Sequence, residues 1–438
     1  NLPLEIILDS ISYKSGYYFS YNADIMPQGS LYSLKKDHVA VSELLELLFI
    51  GTDLEYSYRD DQVILKKVIA DHELNKETKS STISGWVRDE KSKEPIVGAH
   101  VFINGSTIGT TTDAYGNYKL FDVPPGNYII VFSHVGYQLA SYEMNTNSPA
   151  HHKVNAALQP SVNLLKDLEI SSMPIVDDID WIDYYRKFSD QFIGNATNSS
   201  RCTFVNPEVL EFAHSDSLDR YEAVAKEPLV MINEGLGYRV IFNLDSYSCS
   251  VKEVRFHVTA RFENLEVDIR RVRKRWEKNR ERSYKGSKFH FFKALMADEL
   301  DAEGFVMYNI KNLDEVNKLG TPIKASEVLF GSEKTHKFLK FEDYLVVIYR
   351  GELQSIGYQQ DLLNQKSGYT AFPGAATRID FSETTYQKSL LKLEKPELKV
   401  LSNGQIKDPE NITAFGYWSW ERMSELMPID YDLKSDNL

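Results

Sequence analysis

The amino-acid sequence predicts an α+β protein of several domains: a small α/β domain, a β-sandwich and a larger α+β region. Three observations lead to this prediction. With 438 residues, the chain is longer than one ordinary domain. Before residue 70, apolar residues at helical spacing alternate with short strand patterns, and residues 82–160 alternate apolar and polar residues between turn signals. From residue 186 onward both patterns are mixed.

Residues 1–69 are predicted to form the small α/β domain. Apolar residues from Leu4 to Ile11 recur at i, i+3, i+4 and i+7, which is the pattern of one buried helix face. The order α, β, β, α, β, β predicts two helices packed on one sheet. The later elements are strands at 17–21 and 31–35, an amphipathic helix at 41–50 and a hairpin over 54–66.

This domain resembles the secretin/TonB short N-terminal domain. The resemblance rests on L-x-x-I-L-D-x-I from Leu4 to Ile11, on Gly-Tyr-Tyr-Phe at 16–19 and on the order of the later elements. In that family the domain is a periplasmic docking module, so the resemblance implies a docking role here. The side chains that we expect to contact a partner are four tyrosines that we predict to be exposed: Tyr17, Tyr21, Tyr56 and Tyr58.

Residues 70–81 are polar and rich in charge, which predicts a linker before the sandwich at 82–160. Within the sandwich, short strands are separated by Asn104-Gly105, by Gly116 and by two prolines followed by Gly126. Because Gly and Asn accept positive φ and Pro fixes φ, these positions predict the turns of a small antiparallel sandwich.

The sandwich stretch resembles the carboxypeptidase-regulatory-like domain. The family pattern runs G-x-V-x-D, P-x-x-G-A-x-V, T-D-x-x-G-x-[YF] and P-P-G-x-Y. The resemblance implies an immunoglobulin-like or transthyretin-like β-sandwich, which is an accessory module in peptidases and therefore carries no catalytic residue over. The matching positions are Gly85, Val87, Asp89, Pro95, Gly98, Ala99, Val101, Thr112, Asp113, Gly116, Tyr118, Pro124, Pro125, Gly126 and Tyr128.

A second linker is predicted at 161–185, and residues 186–438 are predicted to form an α+β domain with two helices divided at Gly286. Parts of this region resemble uncharacterised envelope proteins of Bacteroidota that carry the same sandwich. The resemblance implies an exported protein, in the periplasm or associated with the outer membrane. It does not indicate which side of the outer membrane the protein faces. The matching stretches include F-I-G-N at 192–195, N-P-E-V-L-E-F at 206–212 and G-Y-W-S-W-E-R at 416–422.

Charge and hydropathy limit the partners. The formal net charge is −13 at pH 7, which argues against a nucleic-acid partner because the phosphate backbone favours basic proteins. No stretch approaches the roughly 18–20 consecutive apolar residues of a membrane-spanning helix.

Two cysteines and one serine are candidates for covalent modification. Cys202 and Cys249 either pair in an exported protein or remain as buried free thiols, and the sequence leaves both alternatives open. Ser217 lies in Asp-Ser-Leu, which resembles the D-[ST]-aliphatic O-glycosylation sites of exported Bacteroidota proteins.

The motifs of common enzymes are missing from the sequence. None of the ten histidines stands in the His-x-x-Glu or His-Glu-x-x-His spacing of zinc peptidases, and there is no Gly-x-Ser-x-Gly or phosphate-binding Gly loop. The acidic residues at 177, 178, 180 and 183 lack the Gly and Glu of a calcium loop, so a solvated acidic linker is the favoured interpretation. We therefore expect no metal, no cofactor and no enzymatic activity.

The run from 270 to 288 is about half Lys or Arg. Glu277 and Glu281 stand four residues from Arg273 and Lys285, so the favoured interpretation is a salt-bridged helix face. The alternative is a surface for anionic lipid headgroups or another polyanion.

The first functional hypothesis is a non-enzymatic cell-envelope subunit that docks on an outer-membrane β-barrel protein or its accessory subunits. The barrel complexes considered are a TonB-dependent transporter, a secretion translocon and the outer-membrane protein assembly machinery. The alternative is a free-standing glycan- or peptide-binding envelope protein that uses Trp181, Trp418 and Trp420 as stacking platforms. An enzyme in the C-terminal region is the third hypothesis, and only the amount of unexplained chain favours it.

Overall fold

The structure is a computed structural model, and the chain divides into two compact units, Asn1–Glu77 and Thr78–Leu438. The described residues are 2–15, 17–20, 31–32, 41, 44–45, 48, 54–59, 62–67, 80–148, 150–161, 178–215, 220–250, 254–316, 318–364 and 386–433.

The N-terminal unit contains both helix and strand. Helix α1, Leu4–Ser15, buries Leu4 and Leu8 against Val63 and Leu65 of the last strand. That strand is the centre of a three-stranded sheet, β2-β5-β4, and residues 41, 44, 45 and 48 are helical. The strands are β1 (Leu2–Pro3), β2 (Tyr18–Ser20), β3 (Leu31–Tyr32), β4 (Leu54–Arg59) and β5 (Gln62–Lys67).

The sandwich consists of two facing sheets. In the first, the strand order is β11-β10-β7-β8; in the second, β9 pairs with one edge of β6 and both β12 and β13 pair in parallel with the other. Alternate residues of both sheets form a core that includes Ile83, Val101, Leu120 and Phe132. The strands are β6 (Ser81–Asp89), β7 (His100–Ile103), β8 (Gly109–Thr111), β9 (Asn117–Val123), β10 (Asn127–Ser133), β11 (Ala140–Asn145), β12 (His151–Lys153) and β13 (Ala156–Leu158).

The C-terminal region begins with a helix and a six-stranded antiparallel sheet. Helix α2, Asp178–Ile193, buries Phe188 and Phe192 against aromatic residues of that sheet, among them Phe212 and Tyr247. Because the helix starts at Asp178, the predicted linker at 161–185 is wrong for its last eight residues. The strands are β14 (Cys202–Phe204), β15 (Leu210–Ser215), β16 (Arg220–Ala225), β17 (Leu229–Asn233), β18 (Tyr238–Ser250) and β19 (Val254–Asn264).

Two helices follow, and they meet where the sequence predicts. Helix α3, Arg270–Tyr284, and helix α4, Lys288–Ala297, are separated by Gly286, whose φ of +75° favours glycine. The remaining α-helices of the C-terminal region, within the part of it that the structure describes, are α5 (Ala325–Val328), α6 (Ile356–Asn364) and α7 (Tyr417–Glu421).

The last seven strands form two small sheets, with orders β20-β23-β24-β26 and β21-β22-β25. They pack against α4 around Phe291, Phe305 and Trp418. The strands are β20 (Phe305–Ile310), β21 (Leu329–Phe330), β22 (His336–Leu339), β23 (Tyr344–Leu353), β24 (Tyr386–Leu393), β25 (Leu398–Leu401) and β26 (Ile412–Gly416).

The sandwich packs closely on the C-terminal region. The amide of Gly105 donates to the carbonyl of Ala260 at 2.7 Å, and both the amide and the hydroxyl of Thr107 donate to the Asp430 carboxylate. Leu401 is 2% exposed and completes an apolar cluster with residues of the first sandwich sheet. One sheet of the sandwich is therefore partly covered by the rest of its own compact unit.

Candidate functional site

The second sheet of the sandwich presents an exposed aromatic and basic surface. Along β9, Tyr118 and Leu120 point into the core, while Lys119 and Phe121 are exposed. Phe121 is 58% exposed, so most of its ring does not contribute to the stability of the fold by burial. The strand alternation therefore accounts for the direction of this side chain and not for the choice of phenylalanine.

Strand β6 extends the surface. Ser84 stands opposite Lys119 in the antiparallel register, so Trp86 and Arg88 lie on the same face as Lys119 and Phe121. Each aromatic ring has a cation above it: Lys119 Nζ lies 4.6 Å from the centroid of Phe121, and Arg88 Cζ lies 5.0 Å from that of Trp86. These four residues are called the outer face below.

The charge of the outer face is positive. Lys153 of β12 stands beside Ser84 in the parallel register and adds a third exposed cation to Arg88 and Lys119. Positions 82, 84, 86, 88, 117, 119, 121, 151 and 153 of β6, β9 and β12 alternate outward, and none of them carries an acidic residue. Asp122, beside Phe121 on β9, is also exposed, so the surface has three cations and one carboxylate. A partner surface that complements this face carries apolar and acidic groups.

One edge of this sheet is open in the described part of the chain. β9 forms a ladder with β6, and no described strand pairs with its opposite edge. A bulge near that edge places Phe121 and Asp122 opposite one residue of β6, and Asp122 has a φ of +54°. An unpaired strand edge is a template for the addition of a strand from another chain.

A cleft of about 360 Å³ separates the sandwich from the six-stranded sheet. Its polar lining includes His100, Ser133, Arg239, Asn243 and Arg261. The Ser133 hydroxyl donates to the Asn243 side chain at 3.2 Å. Burial, together with the nearby Arg261 guanidinium, lowers the pKa of the His100 imidazole, which favours its neutral form.

One carboxylate balances the two arginines of the cleft. Glu263 accepts from Arg261 Nη1 at 2.5 Å and lies 3.8 Å from Arg239 Nε. Two cations facing one anion leave the cleft with a net positive charge, which suits a small ligand with an acidic group.

The prediction that Trp418 and Trp420 serve as exposed stacking platforms is wrong. Trp418 and Trp420 are 9% and 3% exposed. The indole of Trp418 donates to the carbonyl of Gly286 at 2.7 Å, and that of Trp420 donates to the Asp361 carboxylate at 3.0 Å. Both residues therefore belong to the interior, where their ring nitrogens are hydrogen-bonded.

Trp181 is also packed, although less completely. It is half-buried, its ring is stacked on Tyr185 at 5.1 Å, and its indole donates to the carbonyl of Leu210 at 3.0 Å. These contacts hold α2 on the six-stranded sheet, so the ring is not a free platform for a sugar.

The predicted tyrosines of the N-terminal unit divide into two groups. Tyr17 and Tyr56 are half-buried against the core of that unit, so the prediction that they are exposed is wrong. Tyr18, which the sequence argument did not select, is 70% exposed. Tyr21 and the side chain of Tyr58 lie outside the described residues.

Cys202 and Cys249 are both free thiols, so the disulfide alternative is wrong and the alternative of free thiols holds. Cys202 stands opposite Asn233, which stands opposite Tyr238, and Cys249 is eleven residues farther along β18. At about 3.3 Å per residue, that separation is several times the roughly 7 Å within which two Cα atoms form a disulfide. Ser217 lies outside the described residues.

The acidic stretch is partly helical rather than a linker. Asp180 and Asp183 belong to α2, while Asp177 lies outside the described residues. In the portion of the chain that the structure describes, no group of three His, Cys, Asp or Glu residues is arranged to hold a metal ion. No helix there is long and apolar enough to cross a membrane.

Sequence reasoning missed the outer face, although part of its signal is present. The alternation that predicts β9 also predicts that Lys119 and Phe121 point outward. A single exposed phenylalanine is ordinary on a protein surface. Its position beside a second pair of aromatic ring and cation depends on the register of β6 with β9, which the alternation does not give.

Comparison with known proteins identifies the sandwich. The CarboxypepD_reg-like domain matches residues 83–170, which confirms the resemblance found in the sequence. Over 89 residues the chain is 34% identical to the TonB-dependent receptor SusC of Bacteroides thetaiotaomicron. This match covers 20% of the chain and 8% of SusC, so the chain spans a small part of that relative's length.

Several solved structures are similar to this chain over stretches about as long as the match to SusC. The 5-hydroxyisourate hydrolase of Klebsiella pneumoniae is 18% identical, with 18% of this chain and 90% of that chain covered and a TM-score of 0.16. The pilin BcpA of Bacillus cereus is 14% identical, with 23% and 32% covered and a TM-score of 0.16. A cohesin–X-dockerin complex of Acetivibrio cellulolyticus is 24% identical, with 17% and 52% covered and a TM-score of 0.16.

Proposed function

We propose that this protein is a non-enzymatic cell-envelope subunit that docks on an outer-membrane β-barrel complex of TonB-dependent transport. The observation that carries the proposal is the outer face of the sandwich with its open edge strand. This surface belongs to the part of the chain that is similar to the TonB-dependent receptor SusC. The lack of peptidase and hydrolase motifs in the sequence supports a role in binding rather than in catalysis.

The geometry supports a partner that adds a strand to β9. Main-chain hydrogen bonds along the open edge supply affinity, and the side chains beside the edge supply specificity. Phe121 and Trp86 offer apolar contact area, while Lys119 and Arg88 select a partner with acidic groups. The first sheet of the sandwich is partly occupied by Leu401 and its neighbours, so the second sheet is the favoured docking side.

The test is affinity purification of the tagged full chain from detergent-solubilised envelopes, with mass spectrometry of the recovered proteins. We expect a stoichiometric outer-membrane β-barrel transporter with the parent protein and its loss with the double variant Lys119→Glu/Phe121→Ser. The matched control is Val205→Ser, which removes another exposed apolar residue, 53% exposed, from the same compact unit. Recovery of the parent protein alone, or equal recovery of the barrel with all three proteins, contradicts the proposal.

The cleft supports a second candidate function, the binding of a glycan or peptide with an acidic group. Arg239 and Arg261 are the cations that such a group would meet. Titration calorimetry with uronic-acid oligosaccharides and short acidic peptides tests it. We expect saturable binding that Arg239→Gln weakens and that Arg350→Gln, an exposed arginine outside the cleft, leaves unchanged. No heat with any of these ligands argues against this second function and leaves the docking proposal unaffected.

A further inference from the structure

Helix α3 is held firmly on one side. Its sequence, RRVRKRWEKNRERSY, buries Trp276, Ser283 and Tyr284. The indole of Trp276 donates to the carbonyl of Glu234 at 2.7 Å, and the Asn279 side chain donates to the carbonyl of Gly235 at 2.8 Å. These bonds fix the helix on the turn between β17 and β18 and determine which of its faces points to solvent.

The opposite side of the helix carries only cations over two turns. Arg271, Lys274, Arg275 and Lys278 recur at i, i+3, i+4 and i+7, and all four side chains are exposed. Among the described residues, none of the four has an ion pair or a hydrogen bond with a side chain. These residues are called the basic stripe.

The salt-bridged face that the sequence favours is only partly present. Lys285 and Glu281 do pair, with a distance of 2.6 Å between Nζ and Oε1. Arg273, however, donates to the backbone carbonyl of Val267 at 3.2 Å, and no described ion pair joins it to Glu277. The acidic residues of the helix therefore do not neutralise the basic stripe.

The basic stripe lowers the stability of helix α3. Helix stability therefore does not explain why these four residues are basic. Cations of the same sign at i+3 and i+4 repel each other across the helix surface. The first turn also carries Arg270 and Arg271 at the positive end of the helix dipole and has no acidic residue. In a chain with a net charge of −13, four cations in two turns, none with an ion pair in the described part of the chain, concentrate positive charge on one small area.

An exposed apolar side chain stands at the start of the helix. Ile269 immediately precedes α3 and is 62% exposed. The aromatic residues of the helix are unavailable for stacking on bases, because Trp276 is 7% and Tyr284 5% exposed. Exposed cations with an exposed aliphatic residue, and without an accessible aromatic ring, fit lipid headgroups better than a nucleic acid.

We propose that the basic stripe binds the surface of a membrane rich in anionic phospholipids. The four cations span about 10 Å along the helix, at 1.5 Å of rise per residue, and contact the lipid phosphates together. The inference does not rest on the docking proposal, since it concerns a different surface with a different partner.

The experiment is co-sedimentation of the full chain with vesicles of phosphatidylcholine and phosphatidylglycerol in equal parts, and with vesicles of phosphatidylcholine alone. We expect binding to the anionic vesicles only, weakened by salt. Each stripe residue contributes a factor of about five to the partition coefficient, so the variant R271Q/K274Q/R275Q/K278Q, which removes four such factors, is expected to lose up to roughly 600-fold.

The control variant removes the same charge from exposed lysines elsewhere on the unit. It is expected to retain most of the binding, and the stripe variant is expected to melt no lower than the parent protein because repulsion is relieved. Equal losses in both variants, no binding to anionic vesicles, or tighter binding to a duplex or single-stranded oligonucleotide than to vesicles would overturn the inference. The control substitutions are Lys311→Gln, Lys318→Gln, Lys334→Gln and Lys395→Gln.

Discussion

Two aromatic regions of this protein differ in what their rings do. In the C-terminal segment, Trp418 and Trp420 are buried. The indole N–H of Trp418 donates a hydrogen bond to a backbone carbonyl, and that of Trp420 donates one to a carboxylate. On the sandwich, Phe121 is exposed and contacts a lysine above its ring. Aromatic content alone therefore does not locate a binding surface, because a ring can bind a partner only where it is exposed.

The largest effect is expected from the buried region. Trp418→Ala removes a ring packed on Phe291 and leaves the Gly286 carbonyl without its indole donor. We expect it to lower the free energy of unfolding by about 3–5 kcal/mol. Phe121→Ala is the matched control and should change it by less than about 0.5 kcal/mol. Urea denaturation checks both; similar losses for the two variants would break the comparison.

The second-largest effect is expected from a substitution at the contact between the sandwich and the C-terminal region. Leu401→Ala opens a cavity beside Phe102 and Val131 of the first sandwich sheet. We expect a loss of about 2–5 kcal/mol in the free energy of unfolding, with one common transition for both regions. Leu353→Ala, at a residue that is 50% exposed, is the control and should have little effect. Separate transitions of the two regions in calorimetry would show that the sandwich folds independently.

The smallest effect is expected from a carboxyl near the buried tryptophans. Burial, together with the carboxyls of Glu425 and Glu352, raises the pKa of the Glu421 carboxyl well above its ordinary value of 4.5. Because the folded-state pKa is the higher one, the stability that the protonated form provides is present at low pH and is lost as the pH rises from about 4.5 through the folded pKa.

Glu421→Gln removes this loss of stability at rising pH. The melting temperature of the variant should therefore equal that of the parent protein near pH 4.5 and exceed it increasingly toward pH 8. Glu299→Gln, at an exposed position, is the control. A difference between Glu421→Gln and the parent that stays constant with pH would contradict the assignment.

The sequence predicts local structure well because local structure depends on neighbouring residues. The alternation in β6 and β9 and the turn at Gly116 follow from strand and turn chemistry; a Cβ at Gly116 would lie 2.7 Å from the carbonyl oxygen of Val87, and its φ is +75°. The packing of the sandwich on the C-terminal region depends instead on pairs such as Thr107 and Asp430, which are 323 positions apart. No periodicity indicates contacts of that kind.

The same difference explains the tryptophan error. A Trp-Ser-Trp sequence does not say which elements cover each ring, and here Trp418 meets α4 while Trp420 meets Tyr358 of α6. Likewise, the distance between Cys202 and Cys249 is set by their register in a sheet of six strands and not by their separation in the chain.

The most direct test of the central claim places a photo-crosslinking amino acid at position 121 of the full-length protein in living cells, with position 205 as the control. We expect position 121 to crosslink to an outer-membrane β-barrel transporter, identified by mass spectrometry, and position 205 not to do so. Crosslinking of the transporter from position 205 alone, or from neither position, would contradict the claim that the outer face of the sandwich is the docking surface.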